Sequence, residues 1–218
     1  DNLAWKLAYV IQGKAPESLL DSYDAERIAG ADENILNSTR ATDFITPKSP
    51  ISRMFRDVTL ELAEDKPFAR ALVNSGRLST PTAYARSPLN GEDEPTLPQR
   101  ARPGAPAPDA ALNDGKDWLL RHLGRDFTLV MLVDNPATLD GNDLYALENG
   151  PLPIKPLVIG REATGRSGSL TDTDAYAADR YGANSLTLVR PDGQVTARWR
   201  RRDIDAVHAA AAHAAGKA

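Results

Sequence analysis

The 218-residue chain contains no cysteine, and that absence removes disulfides, thiolate zinc sites, iron–sulfur clusters and every thiol-based redox mechanism. It agrees with a reducing compartment, and a cytoplasmic location is expected. Long apolar runs are missing too. None approaches the roughly 20 residues that cross a bilayer, and the N-terminus lacks a basic stretch followed by an apolar one, so no membrane partner is expected. Neither sign of charge dominates: 26 Lys and Arg stand against 30 Asp and Glu, net −4. Such a chain has no overall field to gather nucleic acid, which is not expected as a partner either. The phosphate-cradling spacings G-x-G-x-x-G and G-x-x-x-x-G-K-[ST] do not occur; Gly160, Gly165 and Gly168 in "GREATGRSGS" are spaced otherwise and read as a loop.

What is present is a globular composition, 41% hydrophobic and 26% charged, long enough for one large or two modest domains. The opening "DNLAWKLAYVIQGKAP" reads as a helix apolar on nearly every side, with Lys6, Gln12 and Tyr9 left for solvent and Gly13 as its stop. Such a helix belongs inside a larger body. "PESLLDSYDAERIAGADENIL" continues as a helix interrupted or bent near Gly30, and "SPISRMFRDVTLELAEDKPFARALVNSG" gives two more, the second opened by Pro67 and stopped at Asn74, Ser75 and Gly76. From residue 78 to 108 the sequence turns dense in Pro, Gly and Ser without periodicity, as a linker does, or an arm laid over a surface.

Beyond residue 108 the pattern is α/β. "DFTLVMLVD", "IKPLVIG" and "SLTLVRPDGQVTARWR" supply four strands, the last two joined by a hairpin turn at Pro191, Asp192 and Gly193. "NDLYALENG", "TDTDAYAADRYG" and the Ala-rich "DIDAVHAAAAHAAGKA" supply the helices, with Asp203 as a cap. The order β, α, β, α, β, β, α is that of a thioredoxin-like domain. The fold class expected is therefore α/β, with residues 1–77 helical, 78–108 a linker and 109–218 a thioredoxin-like domain without cysteines.

The candidate chemical groups all have a plain structural reading. His208 and His213, five apart on a helix, point to different faces, and His122 has no carboxylate partner at the usual spacing. "RWRRRD" is read as an alternating strand with Val195, Ala197 and Trp199 inward and Arg198 and Arg200 in water, rather than as an RNA-binding patch. In "DAERI", Glu26 or Arg27 is expected to pair locally on a helix surface. "RPGAPAPDAAL" is similar to the opening of a peroxiredoxin domain, whose chemistry needs the missing cysteine. No residue is assigned a catalytic, cofactor-binding or metal-binding role.

Three stretches, "NLAWKLAYVIQGKAPESLLDSYDAER", "YARSPLNG" and "SLTLVRPDGQVTARW", together resemble the FAD-dependent aromatic hydroxylases, the single-component flavoprotein monooxygenases that include phenol hydroxylase and para-hydroxybenzoate hydroxylase. Gly30 departs from the proline common near that position in the family. The resemblance implies the C-terminal part of an enzyme that uses FAD, NAD(P)H and O2 to hydroxylate a phenolic or other aromatic substrate. The flavin fingerprint is expected upstream of Asp1, so this chain alone is expected to be inactive and to bind no cofactor. An upstream FAD-binding domain, a second copy of the chain and an aromatic small molecule are the partners implied. The alternative is a free-standing, non-catalytic thioredoxin-like interaction module.

Overall fold

The structure, a computed structural model, describes residues 1–73, 80–161 and 170–217. The stop expected at Asn74, Ser75 and Gly76 and the loop around Gly165 and Gly168 lie outside the described residues. The chain divides into two compact units, one formed by Asp1–Glu26 with Ala83–Ala218 and the other by Arg27–Thr82. This division differs from the boundaries read at residues 77 and 108, because the opening helix and the Pro-rich stretch both pack in the same unit as the sheet.

In the larger unit, α1 (Asn2–Ile11) stops where Gly13 takes a φ of +68°, and a 3-10 turn over Glu17–Leu20 leads into α2 (Asp21–Ile45). A small antiparallel hairpin, β1 (Ala111–Leu112) and β2 (Asp117–Trp118), precedes the main sheet. That sheet is built from β3 (Phe127–Val133), β4 (Ile154–Gly160), β5 (Leu170–Thr171), β6 (Ser185–Val189) and β7 (Val195–Trp199), in the order β5-β4-β3-β6-β7. It has five strands rather than four, since β5 adds a short parallel edge to β4. β3 pairs parallel with β4 through a crossover containing α5 (Gly141–Asn149), while β6 pairs antiparallel with both β3 and β7. α6 (Tyr176–Tyr181) precedes β6, and α7 (Ile204–Ala214) follows β7, capped by Asp203 Oδ1 accepting from the Ala206 amide at 3.0 Å.

Both faces of the sheet are covered, which is why β3 reads as an unbroken apolar run rather than an alternating one. Phe127, Leu129, Met131, Leu188 and Trp199 pack on one side with residues of α1, α5 and α7. Val130, Leu132, Ile159 and Val189 pack on the other with Tyr181 and Ala101. Trp5, Tyr9 and Phe127 meet edge to face, with centroids 5.4 to 6.0 Å apart. Tyr9 and Lys6 are thus buried rather than facing water, while Leu3, Leu7 and Ile11 are exposed. The helix is amphipathic in the opposite sense to its hydrophobicity, because its polar groups have tertiary partners.

The Pro-rich stretch, from residue 83, runs as an arm along the outer edge of β7. Gly91 donates to the Thr196 carbonyl (2.8 Å), Arg198 to Glu92 (3.0 Å), Gly104 to Val195 (2.8 Å) and Ala107 to Gly193 (2.8 Å), so the edge strand's backbone groups are paired. Gly104 is required there: its φ is +80°, and a Cβ would run into the Tyr84 carbonyl. The arm also reverses the expectation for Arg198, which was placed in water. Arg198 is fully buried, its Nε donating to Asp93 at 2.5 Å and its Nη1 to the Pro98 carbonyl at 2.6 Å. Arg200 is exposed as expected.

In the smaller unit α2 continues through Gly30 without the interruption that the sequence allowed there. α3 (Pro50–Ala63) starts on Ser49, whose hydroxyl accepts from the Ser52 amide at 3.1 Å, and α4 (Pro67–Val73) packs against it.

Truncating the last two side chains of β7 and the residue after it in the 218-residue chain should separate the buried pair from the exposed Arg200. Trp199→Ala should cost about 3 to 5 kcal/mol, Arg198→Ala about 2 kcal/mol through lost bonds to Asp93 and Pro98, and Arg200→Ala less than about 0.5 kcal/mol. Urea melts of the three variants read this order directly.

Candidate functional site

The most concentrated chemistry in the structure is a buried charge cluster assembled from four distant parts of the chain. Glu26, on the second turn of α2, has a side chain that is 0% exposed and receives five donors. Its Oε1 accepts from Arg190 Nη1 at 2.6 Å and Ser87 Oγ at 2.5 Å. Its Oε2 accepts from Asn2 Nδ2 at 2.7 Å, Lys6 Nζ at 2.8 Å and Arg190 Nη2 at 3.3 Å. Asp192, in the β6–β7 turn, completes the cluster by accepting from Arg190 Nη2 (2.8 Å), Asn2 Nδ2 (2.9 Å) and Trp5 Nε1 (3.0 Å). The Arg190 guanidinium also lies 5.7 Å from the Trp5 ring centroid.

Two carboxylates and two cations make the cluster neutral overall, which is the condition under which buried charge is tolerable. Burial pushes the Glu26 carboxyl up, but Arg190, Lys6 and Ser87 outweigh it and hold it at about 2. Burial lowers the Lys6 ammonium against the opposing pull of Glu26, and for Arg190 the Asp192 and Glu26 carboxylates outweigh burial and raise it. A carboxylate fixed in its ionised form, with five donors on it, has no proton to give and no lone pair aimed at open space. The cluster is built to hold, not to transfer protons. Glu26 accordingly does not sit on a helix surface with a local partner, as the sequence suggested.

Two adjoining clefts open at the carboxyl end of β3, where the chain turns toward β4 on one side and β6 lies on the other, a common ligand position in sheets of this kind. One, of about 190 Å³, is lined by Val133, Asp134, Gly160, Asp172 and Asn184. The other, of about 330 Å³, is lined by Asn135, Thr138, Ser185, Arg200 and Arg202. Their carboxylates are engaged elsewhere. Asp134 accepts from Asn184 Nδ2 at 2.7 Å, and Asp172 caps α6 through the Ala177 and Ala178 amides at 2.9 and 2.8 Å. With no cysteine in the chain, the clefts offer no nucleophile for thiol chemistry.

His122 has the carboxylate partner that its spacing hid, Asp117 Oδ2 at 2.7 Å from Nε2. The Trp118 amide and His122 hold the Asp117 carboxyl below its usual range. The pair is part-exposed and ties β2 to the turn after it. His208 and His213 join no group of three potential metal ligands among the described residues, and no helix among these residues is long and apolar enough to cross a membrane.

Residues 1–38 match the sequence model of a family described as FAD binding domain. Nearly the whole chain is similar to known monooxygenases. It is 30% identical over 217 residues to the 4-methyl-5-nitrocatechol 5-monooxygenase of Burkholderia sp, covering 93% of this chain and 36% of that protein. It is 31% identical over 201 residues to the 12-dehydrotetracycline 5-monooxygenase/anhydrotetracycline 6-monooxygenase of Streptomyces rimosus, covering 85% and 36%. The chain therefore spans about a third of the length of these curated relatives. Among solved structures, the rebeccamycin biosynthetic enzyme RebC with reduced flavin shares the fold, with a TM-score of 0.68 at 22% identity, covering 100% of this chain and 40% of that one.

Residues 1–38 carry two isolated glycines, Gly13 and Gly30, without the G-x-G-x-x-G spacing of a phosphate-cradling turn. The cluster that ties the matched segment to the sheet was not found from sequence. Its signal was a lone lysine on an apolar helix and an Arg-x-Asp at a hairpin turn, each drawn from one of the stretches that carry the family resemblance.

Replacing Glu26 by Gln should cost about 3 to 5 kcal/mol at neutral pH, because Arg190 and Lys6 remain buried beside an amide. The Glu26 carboxyl is held at about 2, below its unfolded value near 4.5. Its stabilising share is thus fully present above about pH 4.5 and lost as pH falls toward 2. Urea melts of both forms from pH 7 to pH 3 should show the difference between them narrowing on acidification.

Proposed function

We propose that this chain is a portion of an FAD-dependent monooxygenase that hydroxylates a phenolic or other aromatic substrate with NAD(P)H and O2. The observation that carries the reading is the continuity of similarity: the segment that matches an FAD binding domain lies within a stretch, 93% of the chain, that is similar in sequence to a nitrocatechol monooxygenase. That continuity favours an enzyme over a free-standing interaction module. The flavin, when bound, supplies the redox chemistry and the activation of oxygen. The substrate class is supported by the relatives' names, which include 3-(3-hydroxy-phenyl)propionate/3-hydroxycinnamic acid hydroxylase from Mycobacterium sp..

In this reading, residues 1–77 are the helical end of the flavin and substrate body, 78–108 the connecting arm and 109–218 a thioredoxin-like domain without thiol chemistry. The thioredoxin-like assignment is supported by the order β4-β3-β6-β7, with β3 and β4 parallel, β6 and β7 an antiparallel hairpin, and α5, α6 and α7 interleaved. The role of the sheet is structural. Its hairpin, through Arg190 and Asp192, clamps the helix pair that matches the flavin-binding family, so the C-terminal region acts as a brace for the cofactor-bearing part.

A graft tests this. Replacing the aligned stretch of the Burkholderia enzyme with this chain should give a folded protein that retains flavin through gel filtration and oxidises NAD(P)H faster when 4-methyl-5-nitrocatechol is added. A folded chimera that is colourless, or whose NAD(P)H oxidation ignores the catechol, would overturn the reading.

A further inference from the structure

The arginines of "RWRRRD" have different fates. Arg198 is buried against Asp93, and Arg201, its side chain 70% exposed, lies 3.7 Å from Asp203 Oδ2. Arg200 and Arg202, two positions apart just beyond β7, both line the cleft of about 330 Å³ at the carboxyl end of β3. Neither has an ion-pair partner within 4.0 Å among the described residues.

The bonds that hold these two side chains go to neutral groups. Arg200 Nε donates to Thr96 Oγ1 at 3.0 Å and Nη1 to the Ala183 carbonyl at 3.1 Å, while Arg202 Nη1 donates to the Thr138 carbonyl at 3.4 Å. Thr96 in turn donates to Glu94 at 2.7 Å, and Glu94 is not part of the cleft lining. A guanidinium carries five N–H donors in a planar fork. Each arginine therefore keeps donors for a further acceptor while its protein bonds restrain it.

The rest of the lining sets the charge and shape of that acceptor. Its one carboxylate, Asp134, accepts from Asn184 Nδ2 at 2.7 Å. Two guanidinium charges against one carboxylate leave the lining at +1, which a single negative charge neutralises. Asn135 accepts from the Ala137 amide through Oδ1, so its Nδ2 is a neutral donor at the same cleft. Leu132 and Leu186, both buried, form apolar floor. The position is the crevice beyond the carboxyl end of a central strand, where the chain leaves toward β4 on one side and β6 lies on the other. A planar carboxylate matches the guanidinium fork, whereas phosphate, largely dianionic at neutral pH, would overcharge the lining.

We infer that this cleft is a binding site for a small organic monocarboxylate, held by Arg200 and Arg202 with its apolar part against Leu132 and Leu186. The site binds and carries out no reaction, and it is independent of the flavin reading.

Butyrate is a suitable probe, added to the 218-residue chain at constant ionic strength and followed by amide NMR spectra. It should shift the amides of residues 133–138, 184–186 and 199–203 saturably, with a Kd of about 1 to 10 mM. Butyramide, the same body without the charge, should bind at least about tenfold more weakly, and so should phosphate. Arg200→Gln and Arg202→Gln should each weaken butyrate binding by about tenfold. Arg201→Gln, which removes a neighbouring charge outside the lining, should change it by less than about threefold. All three arginines are exposed, so the dispersion of the same spectra reports that the fold is intact. Shifts that fail to saturate, or that centre elsewhere, would overturn the assignment. So would butyramide or phosphate binding as tightly as butyrate, or Arg201→Gln weakening binding as much as Arg200→Gln.

Discussion

The ionised carboxylate of Glu26 is the interaction on which the rest of the larger unit depends. It gathers Lys6 and Asn2 from α1, Ser87 from the arm and Arg190 from the end of β6, residues up to 164 positions away in the chain. A buried carboxylate with fewer partners would be costly, and each donor is itself buried or part-buried and would be stranded without it. This reciprocity fixes where α1 lies on the sheet: Trp5 and Tyr9 reach Phe127 from one side while Lys6 reaches Glu26 from the other. It also fixes the hairpin, because Asp192 is held by Trp5 and Asn2 as well as by Arg190.

The same logic extends along the arm. β7 would be an unpaired edge strand with a buried arginine, yet the arm supplies both its backbone partners and the Asp93 carboxylate for Arg198. Thr196 donates to the Leu89 carbonyl and Trp199 to Glu92, so every residue of β7 from Val195 to Trp199 is buried. Two polar atoms on this side, Thr187 Oγ1 and Arg198 Nη2, are buried without a protein partner. The hairpin is thereby clamped twice, by Glu26 at its turn and by the arm along its edge. The carboxylates of the clefts beside this sheet are likewise committed, Asp172 to capping α6 and Asp134 to Asn184.

Local signals in the sequence located most elements. Strand lengths, the Pro-Asp-Gly turn and the Asp203 cap depend on neighbours within a few residues, and the structure has them where the sequence put them. What was not legible depends on partners far along the chain. Lys6 and Arg198 look solvent-facing because a hydropathy pattern treats every charge as wet, and a charge whose counter-ion comes from about 20 or 105 residues away leaves no local trace. Gly30 does not interrupt α2, because a glycine lowers helix propensity by only about 1 kcal/mol, which the remaining residues of a 25-residue helix override. The family resemblance was legible, and the structure adds its physical content, since the stretches that carry it each contribute a group to one cluster.

The claim that Glu26 and Arg190 hold the unit together is tested most directly by a double-mutant cycle of Glu26→Gln and Arg190→Met in the 218-residue chain, read by urea unfolding at neutral pH. If the pair is the coupled centre described, each single change should be strongly destabilising and the double variant should recover part of the loss, with a coupling of about 2 kcal/mol or more. Losses that add without coupling would contradict the account and mean that α1, α2 and the hairpin are held together by the apolar core alone.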